Sequence, residues 1–188
     1  MNRNSNLRIV LECALLIALG TILAQIKLYR FPNGGSITAF SMAPFIVISL
    51  RHGTKWGLLA GLANACLQML IGGIYPPPAG TLLSLLASIL LDYVLAYVVL
   101  GLAYTFAKPF NEHQKNIGVI YATACVCLLR FLCAFLSGWL IWGEVGMTQA
   151  EAIIYSISYN ASYLIPETVL CCFAVWAINK YIPNVFKK

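Results

Sequence analysis

Six long apolar runs take up most of the 188 residues, and no polar stretch between them is long enough to fold by itself. A membrane-crossing helix needs about 20 predominantly apolar residues, so six use roughly 120 and leave only loops and tails. The chain is therefore predicted to be an all-α integral membrane protein. It reads as a six-transmembrane-helix bundle in which residues 1–188 form one transmembrane domain. Composition agrees: 10% of the residues are charged, against about 25% in soluble domains. A fused ATPase, kinase or nucleic-acid module has no room, and no G-x-x-x-x-G-K-[ST] phosphate loop occurs. Any ATP used belongs to a partner.

The first run, 9–26, follows Arg3 and Arg8 but is longer than a signal-peptide core and lacks a small-residue cleavage site, so it reads as a retained helix. The second, 37–50, is short and interrupted by Pro44, which predicts a thin, broken or tilted span. The third, 56–74, ends at Pro76-Pro77-Pro78; the others cover 81–106, 117–142 and 150–178, with a kink expected at Pro166. Six spans put Arg3, Arg8, Arg51, Lys55, Lys108, Lys115, Lys180, Lys187 and Lys188 on one side, against Lys27 and Arg30 on the other. By the positive-inside rule both termini are expected to be cytoplasmic. Glu144 and Glu151 then fall in the last outer loop. The net charge, 12 − 6 = +6, reads as topology and not as a nucleic-acid footprint.

The seven cysteines, Cys13, Cys66, Cys125, Cys127, Cys133, Cys171 and Cys172, all sit in apolar runs, where a thiol behaves as a small hydrophobe. His52 and His113 lie in predicted cytoplasmic loops, so no metal site is expected. Small residues recur every four positions at Gly53, Gly57, Gly61 and Ala65, a pattern that packs helices closely, and again at Ala14 and Ala18.

A charge at membrane depth costs at least about 2.5 to 3.5 kcal/mol on insertion scales and needs a reason. Asp92 and Arg130 fall at matching depth in the fourth and fifth runs. Either they form a structural ion pair, or they line a polar cavity in which Asp92 also accepts hydrogen bonds from a ligand. Around them the sequence supplies Tyr93, Trp139, Trp142, Tyr155, Tyr159, Asn160 and Tyr163. Trp139 reads as an interfacial anchor; Trp142 is as suited to stacking on a cationic or flat heteroaromatic ligand. A serine-protease mechanism lacks an intramembrane His, and metal-dependent chemistry lacks clustered carboxylates, since only Asp92, Glu167 and Glu12 are available. The inventory favours binding over reaction.

In order and spacing, several stretches resemble the S components of energy-coupling factor (ECF) transporters, in particular the thiamine-specific, ThiT-like branch. They are Pro32-Asn33-Gly34-Gly35-Ser36, Ile48-Ser49-Leu50-Arg51-His52-Gly53, Leu91-Asp92-Tyr93, Leu128-Leu129-Arg130-Phe131 with Ser137-Gly138, and Tyr155-Ser156 with Tyr159-Asn160-Ala161. The resemblance implies a substrate-binding subunit of the prokaryotic plasma membrane, not an enzyme and with no cofactor of its own. It captures a vitamin near the outer face and delivers it through a T subunit and two ATPase subunits that use the ATP. Asp92 and Tyr93 would bind the aminopyrimidine ring of thiamine, Trp142 would stack on the thiazolium, and Tyr155, Asn160 and Gly138 would complete the pocket. Ala14 and Ala18 would form the docking face for the T subunit. Some relatives carry His at Ala134, Trp at Gly35 and Glu at Asp92. The alternatives are an S component for another flat vitamin or a thiamine precursor, and a stand-alone small-molecule facilitator.

Overall fold

The computed structural model describes residues 3–110, 115–143 and 146–186. His113, Glu144, Lys187 and Lys188 lie outside them. The first helix, α1 (Arg3–Gln25), turns Cys13, Gly20 and Ala24 inward and leaves Leu11, Leu15, Leu19 and Ile22 exposed. Gly20 makes room for the Phe45 ring, which a Cβ there would meet at 2.6 Å.

The 37–50 run does not form one helix. Ser36–Thr38 (β2) pairs antiparallel with Lys27–Arg30 (β1), with Tyr29 opposite Ile37 and Arg30 opposite Ser36. Helix α2 begins only at Ala43 and runs to His52. Pro44 starts this helix instead of interrupting it, because its missing N–H falls where no intrahelical bond is made. Ten residues rise about 15 Å, half of a hydrocarbon core of about 30 Å. All residues from Ala43 to Leu50 are buried, as befits a helix that is apolar on every side. Gly53 ends it at φ 94°, a left-handed conformation suited to glycine, and its N–H donates to the Ser49 carbonyl at 2.8 Å.

Four longer helices follow: α3 (Thr54–Gly72), α4 (Leu82–Ala107), α5 (Lys115–Leu140) and α6 (Gln149–Tyr181). Among the described residues, α1, α4, α5 and α6 are long and apolar enough to cross a membrane. Helix α6 opens with a capping box between Thr148 and Glu151 and continues through Pro166 without ending.

Helix α4 changes its winding twice, to a π-helix over Ile89–Leu95 and a 3-10 turn over Val99–Leu102. The buried Ser49 hydroxyl serves the second change, donating to the Gly101 carbonyl at 2.5 Å and accepting from the Tyr104 N–H at 3.0 Å. Here the glycine stripe of α3 meets α4 backbone to backbone. A Cβ on Gly61 would lie 2.5 Å from the Tyr97 carbonyl oxygen, and one on Gly101 2.3 Å from the Gly57 carbonyl carbon. Gly57 and Gly61 are thus packing residues, whereas Gly53 only caps α2. Glu12 accepts from Arg8 at 3.1 Å and from Arg51 at 2.8 Å, while Arg51 donates to the Val185 carbonyl at 2.8 Å. Those contacts join α1, α2 and the C-terminal segment. All seven cysteines are free thiols.

Candidate functional site

A cavity of about 230 Å³ opens between the β-hairpin and helices α3 to α6. Asp92, Tyr93, Gly138, Trp142, Tyr155 and Asn160, the six residues singled out for a ligand, all line it, together with Arg130. Ala14 and Ala18 do not; both are exposed on α1.

Asp92 sits in the π-helical stretch of α4, a kind of irregularity that recurs at functional sites. One of its oxygens, Oδ2, collects three donors: Ser137 Oγ at 2.6 Å, Ser88 Oγ at 3.0 Å and Trp142 Nε1 at 3.2 Å. Oδ1 has no protein donor among the described residues. The carboxylate is therefore gripped by one oxygen, and the other keeps its lone pairs for a ligand in the cavity that Asp92 lines. The same contact pins Trp142 beside Asp92.

The expected ion pair between Asp92 and Arg130 is not formed. Among the described residues the only salt bridges converge on Glu12. Asp92 is served by hydroxyls and an indole, and the Arg130 guanidinium lies over the Tyr97 ring, 4.4 Å from its centroid. Both charges face one cavity without touching.

The remaining wall is aromatic and hydrogen-bonded to itself. Tyr155 stacks on Tyr159 at 5.8 Å and 16°, and Tyr159 meets Tyr163 edge-on at 5.7 Å. The Tyr159 hydroxyl accepts from the Gly35 N–H at 2.9 Å and donates to the Pro32 carbonyl, tying the hairpin to α6. A Cβ at Gly35 would lie 2.7 Å from that hydroxyl, so the small residue there belongs to this arrangement. The Tyr93 hydroxyl accepts from the Tyr75 N–H at 3.1 Å and braces the segment after α3.

Asn160 spends both amide hydrogens on protein, at the Ala134 carbonyl (3.2 Å) and the Ser156 carbonyl (2.9 Å), and its Oδ1 accepts from Tyr163 at 2.7 Å. What it can still offer a ligand is one lone pair. Gly138 makes this packing possible, since a Cβ there would fall 2.3 Å from Ser156 Oγ. Trp139 is outside the cavity, donating to Gln149 at 3.0 Å.

Sequence reasoning gave no role to the two serines, Ser88 and Ser137, that hold Asp92 alongside Trp142. Ser88 was detectable, since it precedes Asp92 by four positions on one helix. Thr38, Ser41, Gln68 and Tyr75 also line the cavity, but the hairpin and α3 bring them in by tertiary packing that no local pattern announces. Chemically, the site suits a flat ligand with N–H donors or positive charge, held between a carboxylate and stacked rings. Among the described residues no three His, Cys, Asp or Glu side chains gather as a metal site.

The sequence pattern of the Thiamine transporter protein family (Thia_YuaJ) matches residues 10–187. The chain belongs to this family. It is 27% identical to the Thiamine transporter ThiT of Bacillus subtilis (strain 168), over 100% of this chain and 98% of that one. The solved structure of ThiT from Listeria monocytogenes shares the fold, with a TM-score of 0.77 and 22% identity over 97% of this chain and 98% of the other. As a Thia_YuaJ family member with four strongly apolar long helices, the chain is a multi-pass membrane protein of transport.

Proposed function

We propose that this protein is the substrate-binding S component of an ECF-type, ATP-driven importer and that its substrate is thiamine. The observation that carries the reading is the Asp92 carboxylate lining an aromatic cavity, held by three donors on Oδ2 and with Oδ1 left to accept from a ligand, in a member of a thiamine transporter family. Thiamine supplies a cation for the aromatic faces and an aminopyrimidine for the acid. In this reading 1–188 is one domain of six spans, with α2 and α3 completing the count, both termini cytoplasmic and the cavity toward the outer face. The chain binds the vitamin but has no ATPase, and a T subunit and two ATPases drive its release inward. The exposure of Ala14 and Ala18 supports α1 as the docking face, because packing inside this chain does not occupy them.

Titration of the detergent-purified chain with thiamine tests the substrate. Trp142, pinned beside Asp92, is expected to give saturable quenching of tryptophan fluorescence at micromolar thiamine. A saturable response to another flat vitamin or a thiamine precursor, with none to thiamine, overturns the substrate. Uptake by the chain alone in liposomes without ATP overturns the importer reading in favour of a facilitator.

A further inference from the structure

Glu167 is 2% exposed and lines the cavity 18 residues into α6, well below the start of the helix. Its Oε1 accepts from the Thr38 hydroxyl, which in turn bonds Ser41 at 2.6 Å. Its Oε2 is fully buried and has no partner. Arg130 lines the same cavity, and its Nη1 is in the same condition, buried and without a hydrogen-bond partner. No Arg130 nitrogen lies within 4.0 Å of a Glu167 carboxylate oxygen.

Holding Thr38 in place requires one acceptor atom, which an amide or a hydroxyl supplies as well. A carboxyl with its second oxygen left open in a low-dielectric interior is costly unless something donates to it. The guanidinium opposite has the complementary need, for a lone pair. Both residues line one cavity without meeting, so a molecule seated there that carries both a donor and an acceptor satisfies both once their side chains turn to it.

We propose that Glu167 is a second ligand-reading acid, deeper than Asp92, whose Oε2 accepts a hydrogen bond from an N–H or O–H group of the ligand while Arg130 Nη1 donates to a ligand lone pair. This rests on the thiamine reading above, since thiamine carries two candidate donors, the pyrimidine amino group and the side-chain hydroxyl. Glu167 then helps to determine which flat vitamins fit, beyond the grip of Asp92 and the stacking of Trp142.

Three variants and three ligands test it. Glu167→Met removes both oxygens at similar length, Glu167→Gln keeps the shape and serves if the first does not fold, and Thr38→Val removes only the inner hydroxyl. Each is titrated by calorimetry with thiamine, with an analogue whose amino group is replaced by oxo, and with an analogue lacking the hydroxyl. Loss of a hydrogen bond to a charged group weakens binding by about tenfold or more, so Glu167→Met is expected to lose at least that for thiamine. Glu167→Gln is expected to lose less, and Thr38→Val least. The loss should vanish with whichever analogue lacks the donor that Glu167 reads, which also identifies that donor. Parental affinity in both Glu167 variants overturns the proposal. So does an equal loss for all three ligands, which marks Glu167 as a scaffold residue or its gap as a water site. If the parent chain does not bind thiamine at all, the substrate reading fails first and takes this inference with it.

Discussion

Replacing Asp92 with Asn is the most direct probe of the site, because its surroundings dictate how the amide must sit. Ser137, Ser88 and Trp142 all donate to Oδ2, at 2.6, 3.0 and 3.2 Å. The Trp142 indole can only donate, so an amide nitrogen turned toward it would face hydrogen against hydrogen. The side-chain oxygen of the Asn is therefore held in that grip, and its NH₂ replaces Oδ1 at the cavity. The ligand meets a donor where it had a charged acceptor. Hydrogen bonds to charged groups contribute about 1.5 to 3 kcal/mol, so thiamine binding should weaken by roughly 10- to 160-fold. Fluorescence or calorimetric titration of the purified variant measures this, with thermal melting in detergent to establish that it folds. The protein-side bonds survive the change in shape, so the melting temperature should shift little. A folded Asp92→Asn protein that binds thiamine as tightly as the parent would refute the claim that Oδ1 faces the ligand and reduce Asp92 to an anchor for Trp142.

Tyr159→Phe removes the tie between the hairpin and α6 at Gly35 and Pro32. It should lower stability by about 1 kcal/mol and speed thiamine dissociation in stopped-flow measurements, and unchanged dissociation would mean the tie does not hold the ligand in. Ala14→Trp with Ala18→Trp adds bulk to an exposed face of α1. Vitamin binding by the solitary chain should survive while ATP-dependent uptake and copurification of the T subunit fail; normal uptake by the double variant would remove Ala14 and Ala18 from the docking face.

The long helices were legible because run length and polar flanks suffice to find them. The runs 81–106, 117–142 and 150–178 correspond to Leu82–Ala107, Lys115–Leu140 and Gln149–Tyr181. The 37–50 run was not legible in the same way, since a short apolar run reads alike as a buried strand or a buried helix. Asp92 and Arg130 show a second limit. Counting residues from the helix ends estimates depth, but rotation about the axis decides what a side chain touches. That rotation depends on packing and, for Asp92, on a π-helical stretch that hydropathy does not reveal. Asp92, Tyr93, Trp142, Tyr155 and Asn160 stood out because acids, amides and aromatics are conspicuous in apolar runs, whereas Gly138 came only from the family resemblance and the serines that steer Asp92 resemble ordinary helix-packing residues.

The Ser49 bridge to α4 also orders events in time. Helix α2 by itself rises through only about half of a hydrocarbon core, and the Ser49 hydroxyl finds Gly101 and Tyr104 only after the ribosome has made 55 further residues (104 − 49). At about 5–20 residues per second that is a wait of roughly 3–11 s. During this interval α2 must shelter at the insertion machinery or the membrane surface, and its final burial is a late step that closes the bundle around a segment translated long before.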